Sequence, residues 1–158
     1  MIETRLLAPD ERIALVPLFT ELYGHYGEVV PDEATLTRAI AAQPPGVEML
    51  AAFAPSGPVG LACFSHIYPA TSGTSQIYMK ELYVSASGRG AGVGEILMRA
   101  LARIALSRGC TRLDWTTARE NLGAQAFYRR IGAHVVETKV FFRLEADALT
   151  RLADEPMR

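Results

Sequence analysis

Apolar residues recur along this chain in two rhythms, and the places where one gives way to the other lay out its elements. Ile2 to Leu7 alternates as a first strand does, and Ala8-Pro9-Asp10 stops it. Ile13, Leu15, Val16, Phe19, Leu22 and Tyr23 then return at helical spacing, which predicts one buried stripe on a helix from Glu11 to Tyr23. Pro31-Asp32-Glu33 opens a second helix that reaches Ala42, ahead of Pro44-Pro45-Gly46. Val47 to Ala54 and Val59 to Tyr68 read as a hairpin joined by Pro55-Ser56-Gly57-Pro58. Gln76 to Val84 is apolar on both alternating faces, as a central strand covered on both sides would be, except at Lys80 and Glu81. Val93 to Ser107 returns to the helical period, with Glu95 and Arg99 paired on the outer face, and Arg108-Gly109 ends it. A strand over Arg112 to Thr117, a helix over Leu122 to Ile131, a long closing strand over His134 to Leu144 and a short helix around Ala146 to Ala153 complete the reading. The order is β-α-α-β-β-β-α-β-α-β, an α/β arrangement with no internal repeat or linker, so residues 1–158 are expected to form a single domain.

Composition narrows the class. Sixteen basic and seventeen acidic side chains nearly cancel, which argues against a nucleic-acid or anionic-membrane partner. Charges break the first residues, and no apolar run approaches the ~18 residues of a membrane span, so a cytoplasmic location is expected. Cys63 and Cys110 lie far apart in apolar contexts and read as buried free thiols. His25, His66 and His134 share no spacing suited to a metal, and none is expected.

The densest chemical signal is Arg89-Gly90-Ala91-Gly92-Val93-Gly94, between the central strand and the long helix. A glycine-rich turn that opens a helix aims several backbone N–H groups and the positive end of the helix dipole at one point, which suits an anion. The dinucleotide fingerprint fails on spacing, because the fifth residue after Gly88 is Val93 and after Gly90 is Glu95. A phosphate loop of the Walker type fails as well, since Gly94 is followed by Glu95 and Ile96.

What remains, Arg-x-x-Gly-x-Gly at Arg89, Gly92 and Gly94, resembles the acetyl-CoA pyrophosphate motif of the GCN5-related N-acetyltransferases (GNAT). Asn121-x-x-x-x-Ala126-Phe127-Tyr128-x-x-x-Gly132-Ala133 is similar to the helix that members use beside the cofactor thiol. Within that superfamily Tyr78-Met79-Lys80-Glu81-Leu82-Tyr83-Val84 looks most similar to the diamine and thialysine N-acetyltransferase branch. The resemblance implies the GNAT fold, with a mixed central sheet of about six to seven strands and about four flanking helices. It implies an acetyl-CoA-dependent N-acetyltransferase acting on a primary amine of a small molecule, amino-acid-like or a polyamine, by direct transfer in a ternary complex. Members are commonly dimers. A protein- or peptide-directed acetyltransferase and a non-catalytic CoA-binding module are the other readings.

By the same resemblance the backbone of Leu82, Tyr83 and Val84 pairs with the pantetheine arm, and Gly90, Ala91, Gly92, Val93, Gly94 and Glu95 receive the pyrophosphate. Arg89 either adds charge near the phosphates or is a solvated loop residue. Asn121 is a partner for the cofactor arm or a helix N-cap, with Ala124, Phe127 and Tyr128 on the same helix. Acyl transfer to a lysine-like amine needs a base, since exposing its lone pair at pH 7 costs roughly 4–5 kcal/mol. Glu81 is the candidate base, or else half of a structural ion pair. Tyr128 takes the role of general acid to the departing thiolate. Tyr23, Tyr26, Glu28, His66, Lys80 and Glu81 are candidate acceptor contacts. Diamine acetyltransferases usually carry an acidic pair where this chain has Lys80 and Glu81. A lysine facing the acceptor groove favours an acceptor with a carboxylate over a polycation. Strand alternation puts Lys80 and Glu81 on opposite faces.

Overall fold

A computed structural model describes residues 1–154. The chain divides into two compact units, Met1–Ala118 and a second from Arg119 onward.

The first unit holds one open, mixed sheet of five strands in sequential order: β1 (Glu3–Leu6), β2 (Val47–Ala54), β3 (Gly57–Ile67), β4 (Gln76–Val84) and β5 (Leu113–Trp115). The first four pair antiparallel, and β4 pairs parallel with β5. One face is covered by α1 (Val16–His25) and α2 (Glu33–Ala41), whose Leu18, Phe19, Leu22, Leu36 and Ile40 pack with Met49, Ala51, Leu61, Cys63 and Tyr83. The other face carries α3 (Val93–Ser107), with Val93, Leu97, Met98, Leu101 and Ala105 buried and a Glu95–Arg99 pair at 2.7 Å on the exposed side. Arg108 fixes the far end of α3, its two terminal nitrogens donating to the two oxygens of Glu48 on β2 at 2.5 and 2.7 Å.

Both sides of the sheet rely on residues that allow close approach. A Cβ on Gly60 would lie 2.9 Å from Val93 Cγ1 and 3.1 Å from Tyr83 O, so α3 sits against bare β3 backbone. A Cβ on the buried Gly88 would lie 2.8 Å from Val59 O, which already accepts a bond from Ser85 N at 3.0 Å.

The α/β class and the mixed sheet are as the sequence suggests, with two differences in detail. The helix expected from Glu11 to Tyr23 is a 3-10 segment, Pro9–Leu15, followed by α1 from Val16, because Pro17 has no N–H to continue the ladder from the preceding turn. The sheet has five strands because the closing strand expected over His134 to Leu144 does not form. Lys139 N–H bonds to Val136 O at 3.4 Å and turns the chain within that segment. No ladder among the described residues takes up its backbone, and Val140, Phe141 and Phe142 are exposed. The second unit therefore contributes α4 (Leu122–Arg130) and α5 (Ala146–Asp154), with irregular backbone between them.

Gly88→Ala tests the close approach that seats the glycine loop. The added methyl meets a backbone oxygen that is already engaged, so unfolding free energy falls by about 1–3 kcal/mol, read as a lower urea midpoint at unchanged slope. An unchanged midpoint would show that the loop yields freely at this point.

Candidate active site

β4 pairs with β3 from Gln76 to Met79 and from Glu81 to Val84, yet β5 meets only Ile77, Tyr78 and Met79. From Lys80 to Val84 the second edge of β4 has no ladder partner among the described residues. Backbone donors and acceptors there face outward and need partners. Leu82, Tyr83 and Val84, in register with Ala62, Leu61 and Gly60, supply this open edge.

A β-bulge sits where the edge opens. Cys63 faces Glu81 while the next β3 residue, Phe64, faces Met79, so Lys80 is the extra residue on β4. The bulge cancels the alternation that would have sent Lys80 and Glu81 to opposite faces. Lys80 lines a pocket walled by Phe19 and Tyr23 of α1 and Leu36 and Ile40 of α2. Glu81 Oε1 accepts a hydrogen bond of 2.9 Å from Tyr26 Oη, at the C-terminal cap of α1. Both side chains therefore address the α1/α2 layer.

Opposing influences act on Glu81. Burial pushes its carboxyl above the ordinary carboxylate range, and the nearby Glu28 adds to that. The Tyr26 hydroxyl, Lys80 and the Leu82 amide pull the other way without overcoming burial. A carboxylate raised in this manner is a stronger proton acceptor than a solvated one. No ion pair of Glu81 closes within 4 Å among the described residues, so of the two sequence readings the structural ion pair has no partner in place.

Below Lys80 the pocket encloses about 270 Å³ and is also lined by Ala39, Gln43, Val47, Met49, Cys63, Phe64 and Ser65. Sequence reasoning placed these residues in elements but not in a site, because a buried stripe on a helix reads the same whether it meets a strand or a cavity. Burial, with Glu81 adding to it, pushes the Cys63 thiol up to about 12, so it stays protonated at neutral pH. Arg12, only 9% exposed, acts on the same thiol; its Nη2 donates to Val47 O at 2.9 Å, and its Nε has no hydrogen-bond partner among the described residues.

The glycine loop lies after the open edge. Ser85 Oγ accepts from Gly88 N at 3.2 Å and closes a 3-10 turn over Ala86–Gly88. Gly90 and Gly92 then adopt φ of 79° and 75°, a region that disfavours side chains. Gly92 is the N-cap of α3 and offers no side chain to it. The first bond of the helix runs from Ile96 N to Gly92 O, so the N–H groups of Val93, Gly94 and Glu95 precede it. Built Cβ atoms at Gly90 and Gly92 meet nothing within 4 Å, so the cradle is open. Ala91 N, by contrast, turns inward to Gly88 O at 3.4 Å. Arg89 is exposed, and its side chain acts on the Tyr83 hydroxyl, against the burial that raises that group.

Among the other sequence candidates, Tyr23 lines the pocket, and Glu28 N–H is tied to Tyr23 O at 3.0 Å. His66 lies toward the end of β3, where its Nε2 is 3.4 Å from Cys110 Sγ, and it lines no part of the pocket. In the second unit Asn121 Oδ1 accepts from Ala124 N at 3.1 Å, the N-cap of α4. The rings of Phe127 and Tyr128 lie 5.2 Å apart on that helix, and Arg130 stacks on Phe127. Among the described residues no group of three or more His, Cys, Asp and Glu side chains could hold a metal ion, and no helix is long and apolar enough to cross a membrane.

The chain resembles known proteins in sequence and in fold. The thialysine N-epsilon-acetyltransferase of Bos taurus is 32% identical over 104 residues, 63% of this chain and 61% of that protein. L-ornithine N5-acetyltransferase of Arabidopsis thaliana is 30% identical over 90 residues, 57% and 40% of the two chains. The chain thus matches less than two thirds of the length of these curated relatives. An integron cassette protein from the mobile metagenome of V. cholerae superposes with a TM-score of 0.92 at 34% identity over 98% of each chain. A probable acetyltransferase at 17% identity shares the fold, with a TM-score of 0.81 over 92% of this chain and 98% of that one. The family model described as Acetyltransferase (GNAT) family matches residues 14–133, and the chain belongs to that family.

Proposed function

We propose that the protein transfers the acetyl group of acetyl-CoA to a primary amine of a small molecule, amino-acid-like rather than a polyamine. The observation that carries this reading is Glu81, a carboxyl raised by burial beside the unpaired edge of β4. Acetyl-CoA, as the family's donor, supplies an acetyl thioester. The open edge from Lys80 to Val84 offers strand-like hydrogen bonds to an amide-bearing arm, and the N–H groups of Val93, Gly94 and Glu95 suit its pyrophosphate, each such bond contributing about 1.5–3 kcal/mol. Arg89 serves through its charge at the rim.

Glu81 accepts a proton from the amine, directly or through water, and restores the lone pair that an ammonium lacks. The resemblance around Asn121 and Gly132 gives Tyr128 the complementary role: its hydroxyl donates a proton to the leaving sulfur. Tyr26 holds the Glu81 carboxylate in place and lowers its proton affinity toward a usable value. Lys80, turned into the acceptor pocket by the bulge, disfavours a polycation and supports the amino-acid-like choice. A thiol-release assay with acetyl-CoA and a panel of amines tests the whole reading. CoA binding without release for any amine would leave only a binding module.

Glu81 works as a base only when deprotonated, so kcat/KM rises with pH through its pKa. Because burial raises that pKa, the rise falls above the ordinary carboxylate value of about 4.3. Tyr26→Phe removes a group that favours the carboxylate and moves the rise to still higher pH. Glu81→Gln abolishes the rise and lowers kcat by about 100- to 10,000-fold. A pH profile identical in all three proteins would remove Glu81 as the base.

Tyr128→Phe lowers kcat by about the same range while leaving acetyl-CoA affinity within a few-fold. Unchanged kcat would take the acid role away from Tyr128.

A further inference from the structure

Within the transferase reading, on which this step rests, we infer that the acceptor is an α-amino acid with an apolar side chain, acetylated on its α-nitrogen. The relatives named above are called N-epsilon and N5 acetyltransferases, so their names put the reacting nitrogen several bonds from an α-carbon. The groups of this chain are arranged for a shorter separation.

Three observations carry the inference. First, the bulge brings the side chains of two consecutive residues, Lys80 and Glu81, to the α1/α2 layer. Lys80 is close enough to Glu81 to pull its carboxyl downward, and Cys63, opposite Glu81 on β3, lines the pocket that Lys80 enters. A nitrogen directed to Glu81 and a carboxylate directed to Lys80 can therefore hang from one carbon. Second, the space beyond suits an apolar group. Phe19, Leu36, Ile40, Val47 and Met49 wall it, and its 270 Å³ is below the range of about 300–1,000 Å³ that holds a drug-sized ligand, as befits one amino-acid side chain.

Third, the pocket lining has no carboxylate to neutralise a second ammonium, only the neutral oxygens of Tyr23, Gln43 and Ser65. Lys80 is the lone charged residue in its lining and makes no ion pair within 4 Å among the described residues. The buried Arg12, which donates to Val47 O and acts on the Cys63 thiol, adds a second cation with no carboxylate partner among the described residues. The acidic groups nearby, Glu81 and Glu28, act on each other and lie outside that lining. A lysine or diamine tail entering the pocket loses its hydration and meets like charge. A leucine, methionine or phenylalanine side chain loses only water contact.

The transfer balances without another reactant. The α-nitrogen bonds to the acetyl carbonyl carbon as the carbon–sulfur bond breaks. Of the two protons that the ammonium nitrogen gives up, one ends on the CoA sulfur by way of the Tyr128 hydroxyl. The other leaves through Glu81 to solvent.

Thiol release with acetyl-CoA is measured for phenylalanine, leucine and methionine beside lysine, thialysine, ornithine and spermidine, with products located by mass-spectrometric fragmentation. The apolar amino acids should exceed the cationic amines at least about ten-fold in kcat/KM, with the acetyl group on the α-nitrogen. Phenethylamine, which is phenylalanine without its carboxylate, should be about 10- to 100-fold poorer than phenylalanine. Lys80→Met should erase that preference by raising KM for phenylalanine, with acetyl-CoA KM unchanged. Turnover confined to lysine, ornithine or spermidine on a terminal nitrogen, or a preference for phenylalanine that survives Lys80→Met, overturns this assignment and leaves the transferase reading standing. No release with any amine overturns both.

Discussion

β4 has to satisfy its backbone on two edges, and from Lys80 onward only one of them is met by the protein. Because β5 ends at Trp115, the open edge does not fade gradually but begins at a defined residue, and the bulge lies at that point. An unpaired strand edge is normally a liability that proteins cover or shorten. Retained in the middle of a sheet, beside a helix N-terminus that is also uncapped, it makes sense as a surface for an extended ligand with its own amides and phosphates. The fold holds these two unsatisfied features in register through residues with no side chain. Gly88 seats the loop against Val59, and Gly60 lets α3 rest on β3.

The same bulge sets the surroundings of Glu81. Were the ladder regular, Glu81 would follow Lys80 on the opposite face and its proton affinity would be set by different neighbours. With Lys80 inserted, Glu81 faces Cys63 and Tyr26, and the balance between burial and the favourable influences of Tyr26, Lys80 and the Leu82 amide leaves its carboxyl raised. Burial alone would make a strong base that is seldom ionised. The Tyr26 hydroxyl and Lys80 oppose that, which keeps the ionised form available without returning it to its solvated value.

What could be read in the sequence follows from where each instruction is written. The glycine loop was legible because positive φ at Gly90 and Gly92 and close backbone approach at Gly88 leave a mark in the glycine spacing. The period of α3 survived for the same local reason. The bulge was not legible: Met79-Lys80-Glu81 looks like ordinary alternation, and only two adjacent charges in an apolar strand hinted that something breaks there. The pocket under α1 and α2 was equally hidden, since Phe19, Leu36 and Met49 have the same period whether they meet one another or leave a cavity. His134 to Leu144 shows the opposite failure. Its apolar residues satisfy a strand pattern, but a strand is a property of its partners, and the turn at Val136–Lys139 ends it before a ladder forms.

This division also bears on how such a fold can change its acceptor while keeping its donor. In the proposed site the donor would be met in the first unit by backbone at the β4 edge and the α3 N-terminus, which most side-chain substitutions leave intact. The acceptor would be met by side chains on α1, α2 and a bulged strand, where one substitution alters charge or volume directly. A substitution at Lys80 alone changes the charge of the pocket's lining without moving an amide of the glycine loop. Shared fold and shared donor are therefore compatible with a change of acceptor between relatives at about one third identity. The residue to compare among them is the one at the bulge.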